Sequence, residues 1–354
     1  MNLDPLLHAP QYTRAAADKQ ALLVEGLDEL VAWHRDRCPA YRRLLEVMRP
    51  DTAPGGPLAA IPWLPVGLFK SHRLSSVPPE DEFKVLTSSG TTGAAVSRVV
   101  LDRPTAALQT RGLAAIMTTL LGPRRLPMLI VDVENLFADP RTFSARGAGV
   151  LGMMSFGRKH IYALNADYSL RLGELRAWLD EHGRQPFLVF GFTFMVWQYL
   201  VSRAEGLDLS QGILVHSGGW KKLVEQAVDK PTFRRRVAET TGIARVHDFY
   251  GMVEQVGGVF LEGPDGYLYP PDFADVIARD PETWAEAAPG QPGVIQVLSL
   301  LPRSYPGHSI LTEDLGVVHG IDDGCWKGKR FSVLGRVPRA ELRGCSDTHA
   351  AEHP

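Results

Sequence analysis

Apolar residues recur at helical spacing near the start of the chain. One apolar face of a helix is formed by Leu22, Leu23, Leu27, Leu30 and Val31, and the pattern continues at Leu44 and Leu45. The pattern predicts helix from residue 14 to about 48, broken near Cys38 and Pro39 because proline cannot continue a helix. We expect Cys38 to be structural, since a free cysteine in such a segment commonly behaves as a small buried hydrophobe.

Short apolar runs alternate with helical patterns further along the chain. Buried strands are predicted at 127–132, 187–190, 213–216 and 246–250. Helices are predicted at 104–121, at 170–182, through Trp197 and Leu200, after Gly219, and at 232–240. This alternation indicates an α/β sheet that binds its ligands at the carboxyl ends of the strands.

The last third of the chain changes to short strands separated by turns. The predicted strands are 258–261, 266–269, 274–277, 293–298 and 331–334, and they favour a mainly antiparallel or barrel-like part over about 258–334. We therefore predict a core over 1–334, whose residues 1–60 form a helical segment. A short tail, 335–354, carries Cys345.

Composition excludes several classes of function. The 38 Lys and Arg residues nearly balance the 40 Asp and Glu residues, so charge favours neither nucleic acid nor an anionic membrane as partner. There is no apolar run of about 18 residues for a spanning helix, and no signal sequence, so the cytoplasm is the expected compartment. Cys38, Cys325 and Cys345 form no C-x-x-C pair, which argues against a zinc site or a disulfide framework.

A turn rich in glycine and hydroxyl groups is the first sign of chemistry. It consists of Ser88, Ser89, Gly90, Thr91, Thr92 and Gly93, between the apolar pair Val85-Leu86 and the run 98–101. The pattern predicts strand, turn and strand, in which backbone N–H groups and hydroxyls could wrap a phosphate. The turn lacks the Gly-Lys-Ser/Thr ending of a Walker A loop. Phosphate binding and an ordinary polar hairpin turn are both open on these residues alone.

An ordered set of motifs narrows the interpretation. The segments are Ile61–Lys70 (IPWLPVGLFK), Ser88–Gly93, Gly218–Lys221 (GGWK), Tyr250–Gln255 (YGMVEQ), Ser304–His308 (SYPGH) with Leu311–Asp314 (LTED), and Arg343–Ser346 (RGCS). In this order they resemble adenylate-forming enzymes, and within that superfamily the acyl-protein synthetase (LuxE) family, which is related to phenylacetate-CoA ligase type enzymes. The resemblance covers about residues 35 to 346. It implies an α/β large-domain-like fold with a β-rich C-terminal part.

The resemblance implies roles in an ATP site for several of these motifs. Ser88–Gly93 would hold the β- and γ-phosphates, and Glu254 would carry Mg²⁺, a hard cation that prefers carboxylate oxygen. Tyr250 would stack on adenine, with Gly251 admitting the nucleotide. Gly218 and Gly219 would pass along the adenine or the acyl-AMP. Asp314 would bind the ribose, and Arg336 would contact the ribose or a phosphate. The alternatives are a surface glutamate at a helix start for Glu254 and a core aromatic for Tyr250.

The chain departs from the broad superfamily in three places. Its phosphate loop lacks the usual lysine, so Arg98 either substitutes or faces solvent. The usual Thr-Gly-Asp is Thr312-Glu313-Asp314, which matches the narrower family. The superfamily's mobile C-terminal domain, with its catalytic lysine, is expected to be absent because few residues follow Arg336. Lys221 is the predicted replacement for that positive charge, and a solvated helix face shared with Lys222 is the alternative.

The same resemblance makes Cys345 the predicted acyl acceptor. Members of the narrower family transfer the acyl group from AMP to a cysteine near the C-terminus, and Arg343-Gly344-Cys345-Ser346 stands in that place. A thiolate is the nucleophilic form, and Arg343 could lower the thiol pKa. The alternative is an unreactive exposed thiol. Cys325 is the weaker candidate.

Aromatic residues and two histidines complete the predicted site. An acyl pocket and plain core packing are both open for Phe190, Phe192, Phe194, Trp197, Trp220 and Met252. His216 and His247 end predicted strands, where each could either bond a ligand or satisfy a structural role.

Three functions are compatible with the sequence. The leading one is a ligase that uses ATP to convert a carboxylic acid, fatty or related, to acyl-AMP. The acyl group would then pass to Cys345 as a thioester, for delivery to a partner such as a reductase or carrier protein. The second hands the acyl group to coenzyme A, a carrier protein or an amine. The third is a catalytically silent subunit that binds nucleotide.

Overall fold

The protein divides into two compact units. The structure, a computed structural model, describes residues 1–48, 54–88, 96–137, 145–204, 206–220 and 225–337. Unit 1 consists of Met1–Ile116, Gly251–Phe260 and the described part of Tyr267–Pro354, and unit 2 consists of Met117–Tyr250 and Leu261–Gly266.

The described elements follow the predicted alternation, whereas the helix predicted after Gly219 falls at residues 221–224, which lie outside the described ranges. The helices are α1 (Asp4–His8), α2 (Ala16–Arg37), α3 (Pro39–Met48), α4 (Leu68–Ser71), α5 (Arg103–Leu121), α6 (Ala145–Met154), α7 (Leu172–His182), α8 (Thr193–Met195, continued by a π-helical turn Val196–Val201) and α9 (Lys230–Thr241). The strands are β1 (Leu64–Pro65), β2 (Lys84–Thr87), β3 (Arg98–Leu101), β4 (Leu126–Val133), β5 (Gly157–Leu164), β6 (Phe187–Phe192), β7 (Gly212–Ser217), β8 (Arg245–Tyr250), β9 (Phe260–Glu262), β10 (Leu268–Tyr269), β11 (Ala274–Arg279), β12 (Pro292–Ser299), β13 (Ser309–Ile321) and β14 (Lys329–Arg336).

The predicted break in the first helical region is confirmed. Cys38 separates α2 from α3, and its N–H donates to the carbonyl oxygen of His34 at 2.8 Å. The side chain is 1% exposed, which confirms Cys38 as a buried structural residue.

Unit 1 carries an antiparallel sheet with the strand order β11-β12-β13-β14-β10, and β1 pairs in parallel with β13. The antiparallel C-terminal part is therefore confirmed. The prediction missed β13, the longest strand, because Thr312-Glu313-Asp314 and two glycines interrupt its apolar pattern. At Gly316 a Cβ atom would lie 2.5 Å from the Ser332 carbonyl oxygen, so this strand needs its glycine for the close approach of β14.

The N-terminal segment Tyr12–Ala16 lies against the turn between β13 and β14. The Lys327 N–H donates to the Tyr12 carbonyl oxygen at 3.0 Å, and the Ala16 N–H donates to Asp322 Oδ2 at 2.9 Å. The Tyr12 ring stacks on Trp326 with 4.4 Å between centroids. These contacts tie the two ends of unit 1 together.

Unit 2 carries a parallel sheet with the order β5-β4-β6-β7-β8. The α/β prediction is thus confirmed, although β5 was not foreseen. This strand is at the end of the row, and its exposed Arg158, Lys159 and His160 hide its apolar positions. A polar edge strand of this kind resists pairing with other chains.

The core of unit 2 lies between the parallel strands and the helices. Leu129, Val189 and Leu214 from the strands are fully buried with Leu200 and Val237 from the helical segments. Each such side chain contributes about 1.5–3 kcal/mol relative to exposure. The carboxyl ends of β6 to β8 are thereby fixed on a rigid base. None of the described helices is long and apolar enough to cross a bilayer.

Candidate active site

The predicted site residues fall into three groups. Ser89 to Gly93, Lys221 and Cys345 lie outside the described residues. Unit 1 contains Ser88, Gly251, Glu254, Asp314 and Arg336, whereas unit 2 contains Gly218, Gly219 and Tyr250.

Glu254 is a buried carboxylate in unit 1. It lies in a short 3-10 turn, Val253–Gln255, and is 5% exposed, so its interpretation as a surface residue is wrong. Burial raises the pKa of its carboxyl group, while Ser97 and Lys70 act in the opposite direction and Glu313 adds to the rise. A buried carboxylate is stabilised in its ionised form by a nearby cation or a hydrogen-bond donor.

The backbone around Glu254 is held rigidly from below. The Tyr305 hydroxyl donates to the Glu254 carbonyl oxygen at 2.9 Å, and Gln109 Nε2 donates to that hydroxyl at 3.1 Å. Gln255 Nε2 donates to the carbonyl oxygens of Val297 and Gly307 at 3.2 and 2.8 Å. These hydrogen bonds therefore hold the backbone that carries the Glu254 carboxylate in place within unit 1.

A close backbone approach adds to this support. Gly257 has φ +84°, and a Cβ atom at this position would lie 2.3 Å from the Gln109 carbonyl oxygen. Only glycine allows this packing, because it combines a left-handed conformation with a backbone contact.

Ser88 and Ser97 close the β2–β3 hairpin next to Glu254. The Ser88 N–H donates to the Ser97 carbonyl oxygen at 3.2 Å, and the Ser97 N–H donates to Ser88 Oγ at 3.0 Å. The flanking strands β2 and β3 confirm the two predicted strands, whereas the turn residues Ser89–Gly93 lie outside the described residues. The buried Ser97 hydroxyl lowers the pKa of the Glu254 carboxyl group. It meets full hydrogen-bond geometry with none of the described residues. Arg98 is exposed at the start of β3.

Asp314 and Arg336 face each other in unit 1. They are partners in the β13–β14 register, and 4.0 Å separate Arg336 Nε from Asp314 Oδ1. The Asp314 N–H donates to Thr312 Oγ1 at 3.1 Å, which fixes the backbone of the motif. A carboxylate here can accept bonds from two hydroxyls, and a guanidinium can contact phosphate.

The predicted nucleotide residues of unit 2 lie at strand ends. Gly218 and Gly219 follow β7, and Tyr250, half-buried, ends the neighbouring strand β8. Gly218 has φ +85°, and a Cβ atom there would lie 3.2 Å from the Phe192 ring. A Cβ atom at Gly219 would meet open space. Carboxyl ends of adjacent parallel strands are the usual ligand position in α/β sheets.

A buried polar network beneath these ends was not foreseen. Glu262 pairs with Arg234 at 2.9 Å and with Lys230 at 3.6 Å, and its Oε2 accepts from the Asp248 N–H at 2.9 Å. Burial raises the pKa values of Glu262 and Asp248, and Lys230 opposes both shifts. No local pattern singles out Glu262, because its partners come from α9 and β8.

Both histidines have internal partners. His216 Nδ1 lies 3.0 Å from Thr193 Oγ1, and burial lowers the His216 pKa to about 3. His247 Nδ1 lies 2.8 Å from the Glu262 carbonyl oxygen, and burial lowers its pKa as well. Both imidazoles are therefore neutral at pH 7, in structural roles.

The aromatic residues differ in their burial. Phe190 is 1% exposed and belongs to the core. Partly buried rings pack against the core of unit 2, with the Trp197 and Trp220 centroids 5.3 Å apart. Met252 lies in unit 1.

The metal prediction rests on one carboxylate. Among the described residues, no group of three or more His, Cys, Asp or Glu side chains is arranged to hold a metal ion. Mg²⁺ is usually bound by one or two carboxylates together with substrate phosphates and water. The buried carboxylate of Glu254, with the Ser97 hydroxyl beside it, fits such a site.

Of the described cysteines, Cys325 is exposed, with its Sγ 3.8 Å from the Tyr269 hydroxyl, and Cys38 is buried.

Comparison with known proteins places this geometry in context. The chain is 23% identical over 306 residues to the long-chain-fatty-acid–luciferin-component ligase of Aliivibrio fischeri, covering 81% of this chain and 77% of that protein. The ligase of the same name from Vibrio harveyi is 23% identical over 305 residues, covering 81% and 76%.

A solved structure shares the fold. An open conformation of 2-hydroxyisobutyryl-CoA ligase, in complex with 2-HIB-AMP and CoA, matches with a TM-score of 0.67 at 20% identity, covering 92% of this chain and 76% of that chain. This likeness confirms the predicted adenylate-forming fold.

The family is established by a match over almost the whole sequence. The family model described as "Acyl-protein synthetase, LuxE" matches residues 4–352, which confirms the predicted family and the prediction of a ligase. Family and fold together support activation of an acyl group as its adenylate. The chain belongs to the LuxE family of acyl-protein synthetases.

Proposed function

We propose that this protein uses ATP to convert a fatty or related acid to acyl-AMP and then carries the acyl group on Cys345 as a thioester. One observation in unit 1 carries the adenylation part. Asp314 on β13 faces Arg336 on β14, and Gln255, next to Glu254, donates to the carbonyl oxygen of Val297 on β12, the strand that pairs with β13. The residues predicted for ribose, phosphate and metal thus share one region of unit 1.

The first step joins the acid to the nucleotide. A carboxylate oxygen of the acid attacks the α-phosphorus of ATP, and the bond from that phosphorus to the bridging oxygen of pyrophosphate breaks, so that pyrophosphate leaves with the electron pair. Asp314 would orient the ribose, and Arg336 would offset charge on the phosphates. Glu254 would hold Mg²⁺, which supplies positive charge for the phosphates when bound.

The second step moves the acyl group to sulfur. The Cys345 thiolate attacks the acyl carbonyl carbon, and the bond from that carbon to the AMP oxygen breaks, releasing AMP. The thioester keeps the acyl group activated for transfer to a reductase or a carrier protein. The names of the two similar ligases support a long-chain acid and a protein acceptor.

Two measurements test the proposal. Pyrophosphate exchange is measured with a panel of straight-chain, branched and aromatic carboxylic acids. Intact mass is then measured after incubation with ATP and the best acid, for wild type, Cys345→Ser and, as a matched control, Cys325→Ser. We expect an acyl adduct in wild type and in the control, and none in Cys345→Ser.

Each other outcome points to a different function. An adduct that persists in Cys345→Ser rules out this cysteine as the acceptor. Exchange without any adduct in wild type favours a ligase that hands the acyl group to coenzyme A, a carrier protein or an amine. ATP binding without exchange for any acid indicates a silent nucleotide-binding subunit.

A further inference from the structure

We propose that Lys70 is a catalytic residue of the adenylation step, whose ammonium group offsets negative charge on the phosphates while the acid attacks. This inference rests on the proposed function. It concerns Lys70 on α4, the last residue of the motif Ile61–Lys70, to which the sequence assigned no chemical role.

The part of unit 1 around Glu254 carries several negative charges, which a nearby cation would offset. Glu254, Glu313 and Asp314 bring three carboxylates into this part of unit 1, and both substrates of the proposed reaction are anions. The Lys70 side chain is exposed on α4, whose backbone runs beside Glu313 and whose Phe69 packs against Tyr305, the residue that supports the Glu254 backbone. Lysine suits this role because its compact ammonium charge sits on a flexible stem.

The segment before Lys70 is fixed next to the acidic motif. The Val66 N–H donates to the Leu311 carbonyl oxygen at 2.9 Å, and β1 pairs with β13 at Ile310 and Leu311. A Cβ atom placed on Gly67 would lie 4.0 Å from Glu313 Oε1. The backbone that leads into α4 therefore runs beside Glu313.

The residue just before Lys70 is tied to the support of Glu254. Phe69 is 1% exposed, and its ring packs edge-on against Tyr305 with 6.2 Å between centroids. The Tyr305 hydroxyl donates to the Glu254 carbonyl oxygen at 2.9 Å. The backbone of Lys70 is thus held at a fixed place relative to Glu254, and only its side chain is free to move toward a phosphate.

The proposed action needs no proton transfer. As the acid oxygen bonds to the α-phosphorus and the bond to pyrophosphate breaks, Lys70 keeps its three protons and donates hydrogen bonds to phosphate oxygens. Removing one such preorganised donor typically lowers kcat about 10²- to 10³-fold. Arginine would retain the charge with a different shape and should retain part of the rate.

The test compares Lys70→Met and Lys70→Arg with wild type. Lys327→Met is the matched control, because Lys327 is an exposed lysine of unit 1 on the turn between β13 and β14. Pyrophosphate exchange gives kcat and the KM for ATP, equilibrium dialysis gives ATP affinity, and thermal unfolding reports folding. We expect Lys70→Met to lose about 100-fold or more in exchange kcat, Lys70→Arg to lose less, and Lys327→Met to match wild type. Unfolding midpoints should stay alike.

Failure of the inference is distinct from failure of the proposed function. If wild type is active and Lys70→Met keeps its exchange rate within about threefold, Lys70 has no catalytic role. The same holds if Lys327→Met falls as far as Lys70→Met. If wild type shows no exchange with any acid, the proposed function fails instead, and unchanged ATP affinity in Lys70→Met then overturns the role of Lys70 as well.

Discussion

Asp314 and Arg336 lie opposite each other on antiparallel strands, with 4.0 Å between Asp314 Oδ1 and Arg336 Nε. The strand ladder, rather than a loop, sets the distance between the two groups. The Arg336 side chain is 63% exposed, so this pair adds only about 0–1 kcal/mol to stability. Its charges are therefore available to a ligand at little expense to the fold.

Replacing Asp314 by Asn should impair ATP use without unfolding the protein. We expect the KM for ATP to rise about tenfold or more, because one charged acceptor of the ribose hydroxyls is lost. The unfolding free energy should change by less than about 1 kcal/mol. Pyrophosphate exchange and urea unfolding measure the two effects.

Asp323→Asn is the matched control, since Asp323, in the turn between β13 and β14, accepts two 2.9 Å hydrogen bonds from Arg330 on β14. It should leave the KM for ATP unchanged. A similar rise in both variants would mean that the β13–β14 hairpin, and not Asp314, governs ATP binding.

Replacing Glu254 by Gln should abolish activity without lowering the stability of the fold at pH 7. Burial raises the carboxyl pKa in the folded state, so the unfolded chain loses its proton at a lower pH than the folded chain. At neutral pH the ionised group therefore destabilises the fold, and Gln removes this effect. We expect an unfolding midpoint equal to or above that of wild type at pH 7, an advantage that disappears below about pH 4.5.

Pyrophosphate exchange should be lost in Glu254→Gln, because a neutral amide is a poor ligand for Mg²⁺. Glu282→Gln, at an exposed position, serves as the control for both measurements. A lower midpoint for Glu254→Gln at pH 7 would contradict the account of its burial.

The fold could be predicted largely because its buried strands are apolar without interruption. Phe187–Phe192 and Gly212–Ser217 are surrounded on both faces and carry continuous apolar runs. In β13 and β5, by contrast, polar and glycine residues occupy positions that only the neighbouring strands explain. A local pattern cannot show such tertiary contacts.

The motifs in the sequence propose the residues of the candidate site, but they do not show what surrounds those residues. Order along the chain singled out Glu254 and Asp314. Their supports, Tyr305 and Gln109, come from distant segments and look like ordinary core residues in the sequence. The burial of Glu254 was also hidden, because a glutamate near a helix start is most often exposed.

A second pH effect should come from two stacked histidines in unit 1. The His34 and His308 rings lie 5.0 Å apart, and both side chains are at most 1% exposed. Burial lowers the pKa of His308 to about 3 and that of His34 well below 6.5, with Arg303 and Arg37 adding to the effect on His34.

Acid should therefore destabilise the protein below about pH 6.5, because the unfolded chain binds protons that the folded chain excludes. Each histidine contributes up to about 1.4 kcal/mol per pH unit in this range. The unfolding free energy is measured from pH 7 to pH 5. His308→Gln should flatten the decline and the exposed His8→Gln should not; equal slopes in all three proteins would contradict this account.

Replacing Gly257 by Ala should destabilise unit 1 more than the same change at Gly290. Both glycines have positive φ, +84° and +86°, so both changes carry a backbone penalty of about 1 kcal/mol. Only at Gly257 would the new Cβ meet backbone, whereas nothing lies within 4 Å at Gly290. We expect a further loss of about 1–3 kcal/mol for Gly257→Ala in urea unfolding. Equal losses would show that the Gln109 contact adjusts without strain.

The division of the chain into units has a consequence for its synthesis. Unit 2 comes mostly from the continuous stretch Met117–Tyr250, whereas unit 1 combines residues from before and after that stretch. On the ribosome, the parallel sheet can form while the N-terminal helices still lack the strands they contact, which leaves apolar surface exposed during translation. Asp314 and its partner Arg336 face each other only after both β13 and β14 have emerged. A nascent chain stalled before that point would hold a folded parallel sheet without the proposed adenylation site.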